Sequence, residues 1–230
     1  MGRFERPINR DMMQFRSMRR NSVAALHQCH PHKRVKRVEQ LLSAVERLLR
    51  GLDVPPVAAF LPLWPAPPWP CRTLAPASLP VLRWLDAACA GGVPETAPVL
   101  AELRAMAPRL AWAQTYTTAD RDAAFLDRYG WTELTGTRGP VPSADLAAGF
   151  LLLGPETEYP AHRHDAEELY LPLSGTALWQ RGDEPWQPRA PGTPIHHPGR
   201  MPHAMRTGAD PLLALYLWRG GDLAEKSRFD

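Results

Sequence analysis

The chain has 230 residues, 44% of them hydrophobic, and a formal net charge of +3. This length supports one large domain or a smaller one with an appendage, and no apolar run reaches the roughly 20 residues of a membrane helix. The three cysteines (Cys29, Cys71 and Cys89) are scattered and odd in number. With no apolar secretion signal at the start, they argue for reduced thiols in a cytoplasmic protein.

Residues 1–34 carry a surplus of Arg and Lys, including Arg16, Arg19, Arg20, Lys33 and Arg34. They are read as a basic, solvated leader; no helix-turn-helix pattern supports a nucleic-acid arm. His27, His30 and His32 beside Cys29 imitate a metal cluster, but they lie in a polar tract without an organised partner. Residues 35–50 place Val38, Leu41, Leu42, Val45, Leu48 and Leu49 on one helical stripe that stops at Gly51, which predicts an amphipathic helix. A proline-rich connector over 54–80 comes next, a rigid loop expected to lay Trp64 and Trp69 on the domain surface. Helices are predicted near 79–90 and 95–110, and a short one near 118–128 starting from Thr118 or Asp120. Residues 35–145 therefore form a helical region.

The texture changes at Leu146. Short apolar runs at 147–153, 168–173, 176–180 and 212–218 alternate with Gly and Pro turns such as Gly154-Pro155, Ser174-Gly175 and Pro198-Gly199. That rhythm predicts antiparallel strands in a barrel or sandwich over 146–230. Within it, His162, His164 and Glu168 form an H-x-H-x-x-x-E array, and His203 lies downstream. Three imidazoles and a carboxylate suit one divalent transition metal (Zn, Fe, Mn, Co or Ni) without choosing among them. Glu168 and Tyr170 share a strand face, as do His162 and His164. His162 can serve as a fourth ligand or as a contact to the substrate. The pair His196-His197 precedes the Pro198 turn and is read as barrel rim.

The pattern His162-x-His164-x-x-x-Glu168-(x)6-Gly175, with Gly192-(x)5-Pro198 and then His203, resembles the two motifs of the cupin superfamily. The first motif matches well; in the second, Gly199 directly follows Pro198 and Thr207 stands where Asn is common. The resemblance implies a mainly β fold, a cupin-type antiparallel β-barrel (double-stranded β-helix) behind a helical N-terminal region. The stretch from Tyr159 to Gly175, with Trp179, the block at 202–206 and the closing strand at 211–218, is similar to the cupin-type dimethylsulfoniopropionate (DMSP) lyases. That similarity implies metal ligation by His164, Glu168 and His203, Tyr170 at the metal, and Tyr159 as base. The substrate would be a zwitterion cleaved to dimethyl sulfide and acrylate. Its sulfonium calls for aromatic faces and no competing anion, for which Trp179, Tyr216 and Trp218 are the candidates, with Trp186 nearby. A cupin dioxygenase or isomerase, and a non-catalytic small-molecule sensor, are the alternatives. The expected partner is a small molecule, not a membrane or nucleic acid, and a homodimer through exposed sheet edges is compatible with the fold.

Overall fold

Two sheets, antiparallel except where β3 runs parallel to β2, face each other, and helices cover the outer face of the larger one. In the computed structural model the described residues are 31–229, with side chains from Arg37 onward. The basic leader and the His27/His30/His32 tract lie outside these side chains. The chain divides between Lys36 and Arg37, and the unit that starts at Arg37 contains both sheets. No helix among the described residues is long and apolar enough to cross a membrane.

Helix α1 (Pro31–Gly51) carries the anticipated stripe, with Leu41, Leu42, Val45 and Leu49 at 1% exposure or less. The proline-rich segment is more ordered than a connector. Pro55 opens helix α2 (Pro55–Phe60), a short 3-10 turn continues it, and Trp64 enters the core instead of lying on the surface. Proline fits the first helical turn because the N–H it lacks has no partner there. Helix α3 (Leu85–Ala90) continues a 3-10 turn over Pro80–Trp84, and α4 (Ala97–Met106) runs into another. Strand β1 (Trp112–Ala113) comes next. Helix α5 (Ala123–Asp127) starts later than expected: Asp122 caps it, its Oδ1 accepting from the Phe125 N–H at 2.8 Å. Asp120 instead accepts from Thr117 N at 2.8 Å and pairs with Lys226 at 2.6 Å.

The larger sheet begins before residue 146. It contains β2 (Tyr129–Gly136), β3 (Val141–Pro142), β4 (Leu146–Leu153), β6 (Glu167–Ser174), β9 (Ile195–His197) and β11 (Leu212–Arg219), ordered β1-β2-β4-β11-β6-β9 with β3 beside β2. Strand β2 is hidden in the sequence because Thr and Glu interrupt its apolar pattern. The facing sheet is ordered β12-β5-β10-β7-β8, with β5 (Glu158–Arg163), β7 (Ala177–Arg181), β8 (Gln187–Arg189), β10 (His203–Thr207) and β12 (Arg228–Phe229). Together the sheets make the mainly β, cupin-type barrel.

Strict alternation assigns the two faces of the larger sheet. Ala148, Phe150 and Leu152 of β4, Leu169, Leu171 and Leu173 of β6, and Leu213, Leu215 and Leu217 of β11 pack with the helices. Leu151, Tyr170, Ala214 and Tyr216 turn inward with Tyr129 and Tyr159. Burial on both faces explains why β4 and β11 read as continuous apolar runs.

Gly175 holds the turn after β6 at φ +74, and a Cβ there would lie 2.2 Å from the Pro211 carbonyl oxygen. Gly175→Ala is expected to cost about 3 kcal/mol, a fall in Tm of roughly 6–12 °C by calorimetry; an unchanged Tm would contradict this packing.

Candidate metal centre and active site

Three buried side chains converge at one end of the barrel interior. Glu168, second residue of β6, is 0% exposed, His203 opens β10, and His164 directly succeeds β5. One donor atom from each lies within 4.8 Å of the others. His164 Nε2 is 2.9 Å and His203 Nε2 3.0 Å from Glu168 Oε2. The opposite ring nitrogens are fixed by backbone: His164 Nδ1 donates to Ala166 O and His203 Nδ1 to Met201 O, each at 2.9 Å. Those bonds direct Nε2 of both rings at Glu168, the nitrogen that offers its lone pair to a metal once it carries no proton, the usual outer-sphere arrangement of a metal-ligating histidine. Glu168 Oε1 is buried without a hydrogen-bond partner among the described residues. A set of two imidazoles and a carboxylate with an orphaned buried donor atom fits a divalent cation.

His162 stands beside this cluster but outside the convergent trio. Its Nδ1 donates to Pro160 O at 2.9 Å, its ring stacks on Tyr159 at 3.9 Å, and it meets the His203 ring at 4.2 Å. Tyr159 and His162 are three residues apart, so plain alternation would put them on opposite faces. A bulge prevents this: His203 pairs with His162 and Met205 with Tyr159, which leaves Pro160–Ala161 opposite Ala204 alone.

A cavity of about 340 Å³ opens beside the cluster. Its lining includes Glu168, His162, Tyr159 and Tyr170 together with Trp131, Glu133, Tyr216 and Trp218, and Tyr216 and Trp218 are the cross-strand neighbours of Tyr170 and Glu168. Trp218 also stacks on His164 at 3.9 Å. Trp179 does not line this space; its ring packs on that of Tyr170, centroids 5.0 Å apart. Trp186 is elsewhere, under the Arg206 guanidinium at 4.8 Å. The Tyr159 hydroxyl meets that of Tyr116 at 3.0 Å, and Tyr129 donates to Thr115 Oγ1 at 3.0 Å.

Several residues here were not singled out from sequence. Tyr116, Tyr129 and Glu133 lie upstream of the motifs, in a stretch read as helical. The His196-His197 pair divides between two environments. His196 pairs outward with Glu167 at 2.7 Å, whereas His197 is 1% exposed and stacks on His203 at 4.2 Å. Strand alternation at β9 was the available signal.

The electrostatics are those of a dry, crowded site. Burial opposes charge on Glu168, but the two histidines hold its carboxyl well below the usual range. Burial likewise opposes charge on His164, yet the Glu168 carboxylate and the Ala166 carbonyl raise it. Burial, and then neighbouring Tyr129 and Tyr116, push Tyr159 well above its ordinary value. Burial and the Glu168 carboxylate do the same to Tyr170. Burial, and then His203, push His162 and His197 well below the ordinary histidine value.

Fold and site define a cupin-type barrel with a candidate His-Glu-His metal centre. A dimethylsulfoniopropionate lyase family model matches residues 67–214, more than half of the chain, and the chain belongs to that family. It is 39% identical over 109 residues to dimethylsulfoniopropionate lyase DddQ of Ruegeria pomeroyi, a match covering 47% of this chain and 54% of that protein. It is 34% identical over 142 residues to the putative dimethylsulfoniopropionate lyase DddL of Cereibacter sphaeroides, covering 61% and 57%. The chain thus spans little more than half the length of these two relatives. A chain from the crystal structures of DMSP lyases RdDddP and RnDddQII superposes with a TM-score of 0.75 at 31% identity, covering 85% of this chain and 98% of that one.

Metal uptake should reflect the geometry. One divalent ion per chain is expected by elemental analysis after dialysis, with less than about a tenth of that in Glu168→Ala or His203→Ala. Proton linkage gives a second check. The raised His164 supports the metal-free fold below about pH 6.5 and loses that contribution as pH rises through its folded pKa. The depressed Glu168 contributes above about pH 4.3 and is lost as pH falls through its folded value. A ligand must be deprotonated, so metal binding near pH 6 is expected to release the His164 proton, measured by calorimetry in buffers of different ionisation enthalpy.

Proposed function

We propose that the protein is a metal-dependent lyase that cleaves DMSP, or a close analogue, to dimethyl sulfide and acrylate by base-promoted β-elimination. The observation that carries this reading is one cavity lined by Glu168 of the candidate metal cluster, two buried tyrosines and further aromatic faces, in a member of this lyase family. The aromatic wall favours a cationic substrate over the oxygenase and sensor alternatives.

His164, Glu168 and His203 would hold the metal, with His162 at its edge and Tyr170 alongside. A divalent cation there supplies Lewis acidity toward the substrate carboxylate, which acidifies the adjacent C–H and favours a nearby phenolate. Tyr159 is assigned as the base: its oxygen takes the α proton, the Cα–Cβ double bond forms, and the C–S electron pair leaves with neutral dimethyl sulfide. Tyr116 fixes the position of the Tyr159 oxygen through their 3.0 Å hydrogen bond. The His162 ring stacked on Tyr159 restricts its rotation. Tyr216 and Trp218 offer ring faces to the sulfonium, each worth about 0.5–2 kcal/mol. Burial of the tyrosines keeps water from competing for the proton.

The test is headspace dimethyl sulfide from DMSP with metal-loaded protein. Wild type should release it, and Tyr159→Phe should lower kcat by about 10²-fold or more, the usual weight of a general base. Undiminished turnover in Tyr159→Phe, with turnover lost in Tyr170→Phe, would transfer the role of base to Tyr170. No release by wild type under any metal would refute the assignment.

A further inference from the structure

The cavity contains an acidic side chain, Glu133, where the aromatic account of sulfonium binding called for no anion. Glu133 on β2 is 5% exposed and lines the cavity. Its Oε1 accepts from the backbone N–H groups of Arg138 at 2.5 Å and Gly139 at 2.6 Å. Among the described residues no hydrogen bond occupies Oε2. Cross-strand register places Glu133 opposite Gly149, Gly149 opposite Tyr216, and Tyr216 opposite Tyr170. Three strand spacings, about 14 Å between backbones, therefore separate Glu133 from the Tyr170–Glu168 side. Gly149 puts no side chain between Glu133 and Tyr216, since a Cβ there would lie 2.0 Å from the Thr132 carbonyl oxygen.

We propose that Glu133 is the carboxylate that recognises the cationic end of the substrate, making the cavity selective for an onium head group over a neutral one of the same shape. This rests on the reading of the cavity as the site of a zwitterionic substrate. A zwitterion needs two unlike ends, and the row supplies them: Glu168 of the candidate metal cluster on β6, with Tyr216 and Trp218 on the adjacent strand, and a carboxylate with Trp131 on β2 at the far end. The cations that share the cavity are engaged elsewhere. Lys226 pairs with Asp120 at 2.6 Å, and the Arg138 guanidinium donates to Ala224 O at 2.7 Å while lying over Trp131. Besides Glu168 of the metal cluster, the remaining acid lining the cavity is Glu225, which pairs with Arg228 at 2.9 Å. Burial pushes the Glu133 carboxyl up, against the pull of the two backbone N–H groups and of Arg138 and Arg72. Glutamine would keep the Oε1 acceptor for the two backbone N–H groups, which makes it the neutral comparison for the carboxylate.

The experiment titrates metal-loaded protein, by tryptophan fluorescence, with two isosteric probes: 3-(trimethylammonio)propionate and 4,4-dimethylpentanoate. Wild type is expected to bind the onium about tenfold more tightly or better. Glu133→Gln should fold with a Tm at or above that of wild type, lose about tenfold in onium affinity and leave the neutral probe within about twofold. A wild-type preference below about threefold overturns the proposal without any variant, as does a Glu133→Gln preference equal to that of wild type, or an equal loss for both probes. The lyase reading stands or falls separately. Dimethyl sulfide release with an unchanged KM in Glu133→Gln would sink the role of Glu133 alone. Onium selectivity that depends on Glu133, without release by wild type, would keep that role and sink the lyase.

Discussion

A carboxylate with no solvent exposure sets the terms for this barrel. Removing Glu168 from water would cost several kcal/mol if it stood alone, and the structure compensates by bringing two histidine rings onto one of its oxygens. Each ring is in turn locked by a backbone carbonyl. This arrangement ties together three places in the chain: the end of β5, the start of β6 and the start of β10. The second carboxylate oxygen still lacks a hydrogen-bond partner among the described residues, so the side chains alone leave the site incomplete, as a metal centre's ligands are.

The larger sheet carries this cluster because both of its faces are buried. Leucines on its outer face seat the helices, while its inner face is released for Glu168, Tyr170, Tyr216 and Trp218. A polar, crowded interior can be borne where the opposite face supplies an uninterrupted apolar core. The helical layer is therefore part of what permits the site, although none of its helices supplies a residue to the cluster.

Much of this was legible in the sequence. The spacing of His162, His164, Glu168 and the late His203 carries its own geometry, since strand alternation and a turn at Gly175 decide which residues share a face. The α1 stripe was equally plain. Other features depend on tertiary context. Strand β2 lacks a clean period, so Tyr129 and Glu133 were hidden in a region read as helical. The bulge that turns Tyr159 inward beside His162 arises from pairing with β10, which no local pattern encodes. Trp179 was expected at the substrate because it lies near the motif; in three dimensions its ring packs on Tyr170 and is not part of the cavity lining. His197 shows the reverse error, a residue assigned to the rim that strand pairing places against His203.

The central claim is that His164, Glu168 and His203 hold a metal on which turnover depends. The most direct measurement strips the protein with a chelator and then titrates back one divalent ion while dimethyl sulfide release from DMSP is monitored. Release should rise in proportion to occupancy, level off at one ion per chain, and fail to return in Glu168→Ala. Undiminished release from protein holding less than about a tenth of an equivalent of any metal would contradict the claim.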